Sequence, residues 1–174
     1  SEVDMIIEGK NHPLPILAAA QPSDIDSKIA THCLSKMRDG CCIQLGIGGV
    51  PNAVGTMVAA SDLKDLGVHT EMYVDAYLEM VKAGKVTGKY KNLDRYKQVY
   101  SFVMGSQDLY EYVDNNPGLA SYPVDYTNNP KVIAQIDNFV SINACVEVDL
   151  YGQVCAESVG TRHLSGTGGQ LDFV

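Results

Sequence analysis

The sequence predicts an α/β domain, with a mostly parallel sheet, flanking helices and a C-terminal antiparallel hairpin. Three observations carry this expectation. Strand-like and helix-like patterns alternate from residue 23 to residue 139, the order that builds a parallel sheet through helical crossovers. A short apolar run over 41–45 feeds directly into Gly46-Ile47-Gly48-Gly49-Val50-Pro51, the form of a strand–glycine–helix junction. Near the end, two β-rich runs flank Tyr151-Gly152, as the arms of a hairpin flank its turn.

Taken in order, Val3, Met5 and Ile7 alternate with polar neighbours, which predicts a strand over residues 1–8. Residues 9–22 hold three prolines and read as an extended connection. Ser23 followed by Asp26 has the form of a capping box, and Ile25, Ile29, Cys33 and Met37 carry an apolar stripe through Arg38, with Gly40 as a left-handed stop. After the strand at 41–45, Pro51 suits the first turn of a helix that runs to about Ala60. Residues 67–73 read as one strand, 75–83 as a helix stopped by Gly84, and 98–104 as a further strand.

Ser106 caps a helix through Tyr112, broken by Asp114-Asn115-Asn116-Pro117. Residues 122–130 read as a loop, with Pro130 opening a short helix. Residues 139–150 and 153–155 form the predicted hairpin, and Ser165-Gly166-Thr167-Gly168-Gly169-Gln170 is a glycine loop leading into a strand-like end. A start in one strand and a stop within another predict a piece of something longer.

The 174 residues suffice for one core. Thirteen Lys and Arg stand against 21 Asp and Glu, a net charge of −8, which opposes binding to nucleic acid or an anionic membrane. It leaves room for an anionic small ligand held by local fields. No apolar run approaches a membrane span, and no basic start leads into an apolar stretch, so the expectation is a cytoplasmic protein without a secretory leader. Five cysteines (Cys33, Cys41, Cys42, Cys145 and Cys155) form no Cys-x-x-Cys pair and predict neither a disulfide framework nor a zinc site.

Four features could carry chemistry. The loop at Gly46–Pro51 offers free N–H groups at a helix start, able to hold a phosphate or an oxyanion, though it lacks the Lys-Ser/Thr of a P-loop and also fits a plain tight turn. Glu71 shares a predicted strand face with His69 and Tyr73, opposite Val68, Thr70 and Met72. At the carboxyl end of a parallel strand that face opens into the ligand crevice, where a carboxylate can act as a nucleophile, and the same spacing fits a solvated edge residue. His69 reads as a catalyst or as a hydrogen-bonded structural histidine.

The glycine loop at 165–170 offers backbone donors or a flexible tail. Residues 82–97, with six basic residues against Asp94, offer a phosphate contact or a solvated positive face. Glu71 also lies roughly where a dinucleotide fold places its ribose-binding acid, which keeps open a non-catalytic nucleotide-binding module.

Six stretches in this order resemble the acetyl-CoA hydrolase/transferase family: Gln44-Leu45-Gly46-Ile47-Gly48, Gly67-Val68-His69-Thr70-Glu71-Met72, Asp114-Asn115-Asn116-Pro117, Tyr122-Pro123-Val124-Asp125-Tyr126, Val148-Asp149-Leu150-Tyr151-Gly152-Gln153-Val154 and the 165–170 loop. The resemblance implies two tandem α/β domains. Residues 1–22 would then be an inter-domain connection, and 23–174 a partial C-terminal CoA-transferase domain. It implies transfer of CoA between a short-chain acyl-CoA and a carboxylic acid such as 4-hydroxybutyrate, through a glutamyl-CoA thioester on Glu71.

It further implies an oxyanion hole from the backbone of Ile47 and Gly169, and substrate contacts from Asn128, Gly46, Gly48 and Gly168. Coenzyme A enters as a substrate, with no permanently bound cofactor and no metal, since a carboxylate nucleophile is already ionised at neutral pH. The implied partners are acyl-CoA, short carboxylic acids and further copies of the full-length protein. Hydrolysis of acetyl-CoA is the alternative within the same chemistry. A piece lacking the other domain is expected to be inactive alone.

Overall fold

The computed structural model describes residues 3–18 and 21–174. Ser1, Glu2, Ala19 and Ala20, within the predicted first strand and connection, lie outside the described residues. Residues 3–18 carry neither helix nor strand, so the expected strand over 1–8 is not formed among its described residues. Met5, Ile6 and Ile7 are all exposed, and alternation without a neighbouring strand has nothing to pair with.

The helix α1 (Asp24–Leu34) opens on the expected capping box: Asp26 N donates to Ser23 Oγ, and Ser23 N donates to Asp26 Oδ2. It stops at Leu34 rather than Arg38, and turns closed on Thr31, Cys33 and Leu34 carbonyls bring the chain to Gly40, whose φ of +72° swings it into the sheet. Then come β1 (Cys42–Leu45), α2 (Gly49–Ala60), β2 (Gly67–Val68), β3 (Met72–Tyr73) and α3 (Asp75–Lys82). The middle of the chain holds β4 (Gln98–Tyr100), β5 (Phe102–Val103), α4 (Gln107–Val113), β6 (Leu119–Ser121), α5 (Val124–Thr127) and α6 (Pro130–Ile133). The last part holds β7 (Phe139–Ile142), β8 (Glu147–Val148), β9 (Val154–Cys155), β10 (Ser158–Val159), β11 (Arg162–His163) and α7 (Gln170–Phe173).

The sheet is parallel where it matters for the site. β1, buried along its whole length, runs between β2 and β7 and parallel to both, with Ile43 opposite Val68 and Val140. A single parallel bridge from His69 to Val99 joins this trio to β4, which pairs parallel with β6. β3 pairs parallel with β5. The helices α1, α2 and α3 pack in succession. Gly55 of α2 lies so close to α3 that a Cβ there would stand 2.6 Å from the Ala76 Cβ. Inside the core Tyr73 stacks on Tyr77, whose hydroxyl accepts from Leu45 N at 2.7 Å.

Several predicted boundaries move. The strand expected over 67–73 is interrupted at Thr70-Glu71, and the one over 98–104 at Ser101, where Ser101 N and Phe102 N both donate to Glu71 O. The predicted loop over 122–130 contains α5, which ends at Thr127, and β6 precedes it. The long strand over 139–150 divides into β7 and β8 around 143–146. β8 and β9 form the antiparallel hairpin around Tyr151-Gly152, and β10 and β11 add a second one that the sequence reading lacked. The end of the chain is helical, not a strand. Gln170–Phe173 forms α7, and Phe173 is buried and stacks on Phe139.

Candidate active site

Parallel strands end together, and the residues that follow them meet. Gly46 follows β1, Glu71 lies just beyond β2 and the His69 bridge, and Asn143 follows β7. These three ends form the floor of an open cleft of about 280 Å³, lined also by Gln44, Leu45, Ile47, Met72, Phe102, Ala144, Thr167, Gly168, Gly169, Gln170 and Phe173. The second glycine loop thus closes over the first.

Glu71 is half-buried, in the bend between β2 and β3 rather than within a strand. The predicted sharing of one face by His69, Glu71 and Tyr73 fails for the same reason. His69 and Tyr73 are fully buried, and only Glu71 reaches the cleft. Its Oε2 accepts a 2.8 Å hydrogen bond from Asn128 Nδ2, which also donates to Asp172 Oδ2 at 3.3 Å. Gly169 presses against this pair. A Cβ built on it would overlap both the Glu71 carboxylate and the Asn128 amide, so any larger residue must push these two groups aside.

The backbone N–H groups of Ile47 and Gly169 find no acceptor among the described residues, which leaves both available to a ligand oxygen. Gly46 and Gly168 line the cleft, and Gly168 needs its φ of +54° for the turn. Gly48 does not line it. With φ +115°, Gly48 turns the chain into α2 and faces a neighbouring apolar hollow beside Leu17, Val74 and Met104.

His69 stands behind the cleft. Its Nε2 lies 2.8 Å from Thr127 O, an acceptor only, so the proton sits on Nε2 and Nδ1 is left buried without a partner among the described residues. Burial holds its pKa below the ordinary 6.5, so the ring is neutral. The geometry gives it no reach into the cleft, which favours the structural reading of this histidine. The basic stretch over 82–97 contributes no lining residue either. Lys91, expected on a solvated face, is buried, donating to Val68 O and Lys97 O, while Lys82 and Lys89 pair with Asp108 and Asp65.

Sequence reasoning missed several residues in or behind the cleft wall. Gln44, Ser141 and Asn143 interlock through four side-chain hydrogen bonds of 2.7–3.1 Å and stiffen the cleft wall. A glutamine in an otherwise apolar strand was the one visible sign of this network. Thr127 and Asp172 had no such sign. Among the described residues, no group of three or more His, Cys, Asp or Glu could hold a metal ion, and no helix is long and apolar enough to cross a membrane.

Comparison with known proteins decides the lineage. A family model described as the acetyl-CoA hydrolase/transferase C-terminal domain matches residues 105–174. All 174 residues align at 73% identity with a probable butyrate:acetyl-CoA coenzyme A-transferase of Syntrophomonas wolfei. The chain belongs to the acetyl-CoA hydrolase/transferase family. It is also 47% identical over its whole length to the 4-hydroxybutyrate coenzyme A transferase of Clostridium kluyveri. The crystal structure of RipA from Yersinia pestis superposes with a TM-score of 0.86 at 39% identity, covering 93% of this chain and 36% of that one. The chain spans about 39% of the length of the Syntrophomonas relative and about 40% of the Clostridium one. The family's fold and the sheet described above agree.

Proposed function

We propose that this chain is much of the second domain of a two-domain, cytoplasmic CoA-transferase, joined to the first through residues 1–22. Glu71 is its nucleophile. The observation that carries the reading is the meeting of the Glu71 carboxylate and two unengaged backbone N–H groups on one cleft, with the buried Asn128 amide 2.8 Å from that carboxylate.

The chemistry follows from those groups. A Glu71 oxygen adds to the acyl carbon of an acyl-CoA, and the oxyanion that develops accepts from Ile47 N–H and Gly169 N–H. Collapse expels CoA thiolate and leaves an acyl–glutamyl anhydride. The thiolate then adds to the glutamyl carbonyl, whose oxygen accepts from Asn128 Nδ2. Loss of the acid as its carboxylate gives the glutamyl-CoA thioester. A second carboxylate reverses these steps and departs as the new acyl-CoA. Each step exchanges one activated carbonyl for another of similar energy. Short acids such as butyrate and 4-hydroxybutyrate, which appear in the names of two relatives, are the proposed substrates, and the full-length protein is proposed to be a homo-oligomer.

Replacing Glu71 by Gln in the complete polypeptide tests the reading. Exchange of CoA between butyryl-CoA and labelled acetate is expected to fall at least 10³-fold, on the order of losing an essential nucleophile. Exchange within tenfold of the parent would contradict it. Thioester loss measured with and without acceptor acid separates transfer from hydrolysis. The isolated 174 residues are expected to show no turnover.

A further inference from the structure

We propose that Thr127 is a positioning residue: its hydroxyl fixes which end of the Asn128 amide faces Glu71. The proposal rests on the reading of Glu71 as nucleophile. An asparagine amide has a donor end and an acceptor end of nearly the same shape, and only the donor end helps a glutamyl oxygen. Thr127 Oγ1 lies 3.0 Å from Asn128 Oδ1, an atom with no proton of its own, so the hydroxyl proton lies between them. The other acceptor near that hydroxyl, Val124 O, is farther away at 3.5 Å. Nδ2 is thereby turned toward Glu71 Oε2 at 2.8 Å, with Asp172 Oδ2 at 3.3 Å on the exposed side.

The Thr127 hydroxyl is placed by its own surroundings. Thr127 is fully buried at the end of α5, and its carbonyl, the peptide oxygen just before Asn128, accepts from His69 Nε2 at 2.8 Å. His69 sits two residues from Glu71, so one strand end holds both the carboxylate and the peptide that carries the amide. While Glu71 is a free carboxylate, its charge and the Thr127 hydroxyl orient Nδ2 together, with Asp172 Oδ2 as a more distant acceptor. Once Glu71 is acylated its oxygen is a neutral, weaker acceptor. From then on, the Thr127 hydroxyl keeps the donor end in place for the next oxyanion.

The test is a double-mutant cycle in the complete polypeptide, read as steady-state CoA transfer with melting temperatures alongside. Thr127→Val is expected to lower kcat about tenfold with KM little changed, a smaller loss than the 10²–10³ of removing an oxyanion donor itself. Thr127→Ser keeps the hydroxyl and is expected to restore kcat to within twofold to threefold. In an Asn128→Ala background, Thr127→Val is expected to have no further effect, which a merely structural role would not produce. Thr127→Ala serves in place of the valine variant if that one fails to fold. A fully active Thr127→Val or Thr127→Ala enzyme, or an equal loss in the presence and absence of Asn128, overturns the proposal. Glu71→Gln, assayed in parallel, separates the two failures. If it is inactive while Thr127→Val is fully active, only the positioning role falls. If Glu71→Gln is active, the nucleophile reading falls and the proposal with it.

Discussion

Asn128 holds one oxygen of Glu71 at 2.8 Å, and Gly169 leaves no room for any side chain beside that contact. Two variants separate these contributions. Asn128→Ala removes a donor without filling space and is expected to lower kcat by 10²–10³ with KM little changed, a result read from steady-state transfer. Gly169→Ala keeps the donor but drives a methyl into the carboxylate. Displacing Glu71 by about 1 Å is expected to lower activity on the order of 10²-fold. Because Gly169 sits in a half-exposed loop with an ordinary φ of −95°, its melting temperature should stay close to the parent's.

His69 makes a pH prediction. It is neutral in the folded chain because burial depresses its pKa, while the unfolded chain takes up a proton as pH falls through about 6.5. The folded state therefore loses stability as pH drops below that value, and His69 contributes no slope above it. Melting temperatures between about pH 8 and pH 5 should fall on the acid side for the parent and fall less steeply for His69→Gln. An equal slope in both would contradict the assignment. The sequence singled out Glu71 and the two glycine loops because their residue types restrict the chemistry, and the structure brings Glu71, Gly46, Gly168 and Gly169, but not Gly48, to one cleft. Thr127 was not singled out, since nothing in its spacing told which amide its hydroxyl would meet.

At the scale of elements, the helices were easier to read than the strands. Capping boxes and prolines act over three or four residues, so Ser23, Ser106 and Pro130 marked real helix starts. Strand ends depend on partners far along the chain. The strand read over 67–73 breaks at Glu71 because β2 pairs with β1 while β3 pairs with β5, and the bend between them carries the Glu71 carboxylate into the cleft. The end of the chain misled for a similar reason, as Leu171 to Val174 are β-compatible residues, yet Phe173 finds its burial against Phe139 as part of a helical turn.

The α2–α3 contact tests the packing directly. Gly55→Ala would set two methyl carbons 2.6 Å apart, and overpacking of about 1–3 kcal/mol is expected to outweigh a helix-propensity gain of at most about 1 kcal/mol. A thermal melt should show a lower Tm, and a raised Tm would mean the two helices separate easily.

For the whole molecule, four of the five cysteines report on where the fold is closed. Cys42 opens β1 and Cys41 precedes it, both are buried, and burial pushes the Cys42 thiol up to about 12. Cys145 is exposed, and hydrogen bonds from Ser158 hold Cys155 below its ordinary value. Iodoacetamide at neutral pH is therefore expected to label Cys145 and Cys155 in the native protein, and Cys41 and Cys42 only after unfolding, as peptide mass spectra would show. The proposed mechanism requires a covalent bond to one carboxylate, that of Glu71. The complete polypeptide, incubated with butyryl-CoA, treated with borohydride and digested, should yield the peptide containing residue 71 with its glutamate reduced to the alcohol. Turnover that proceeds while this peptide keeps its unmodified mass would contradict the account.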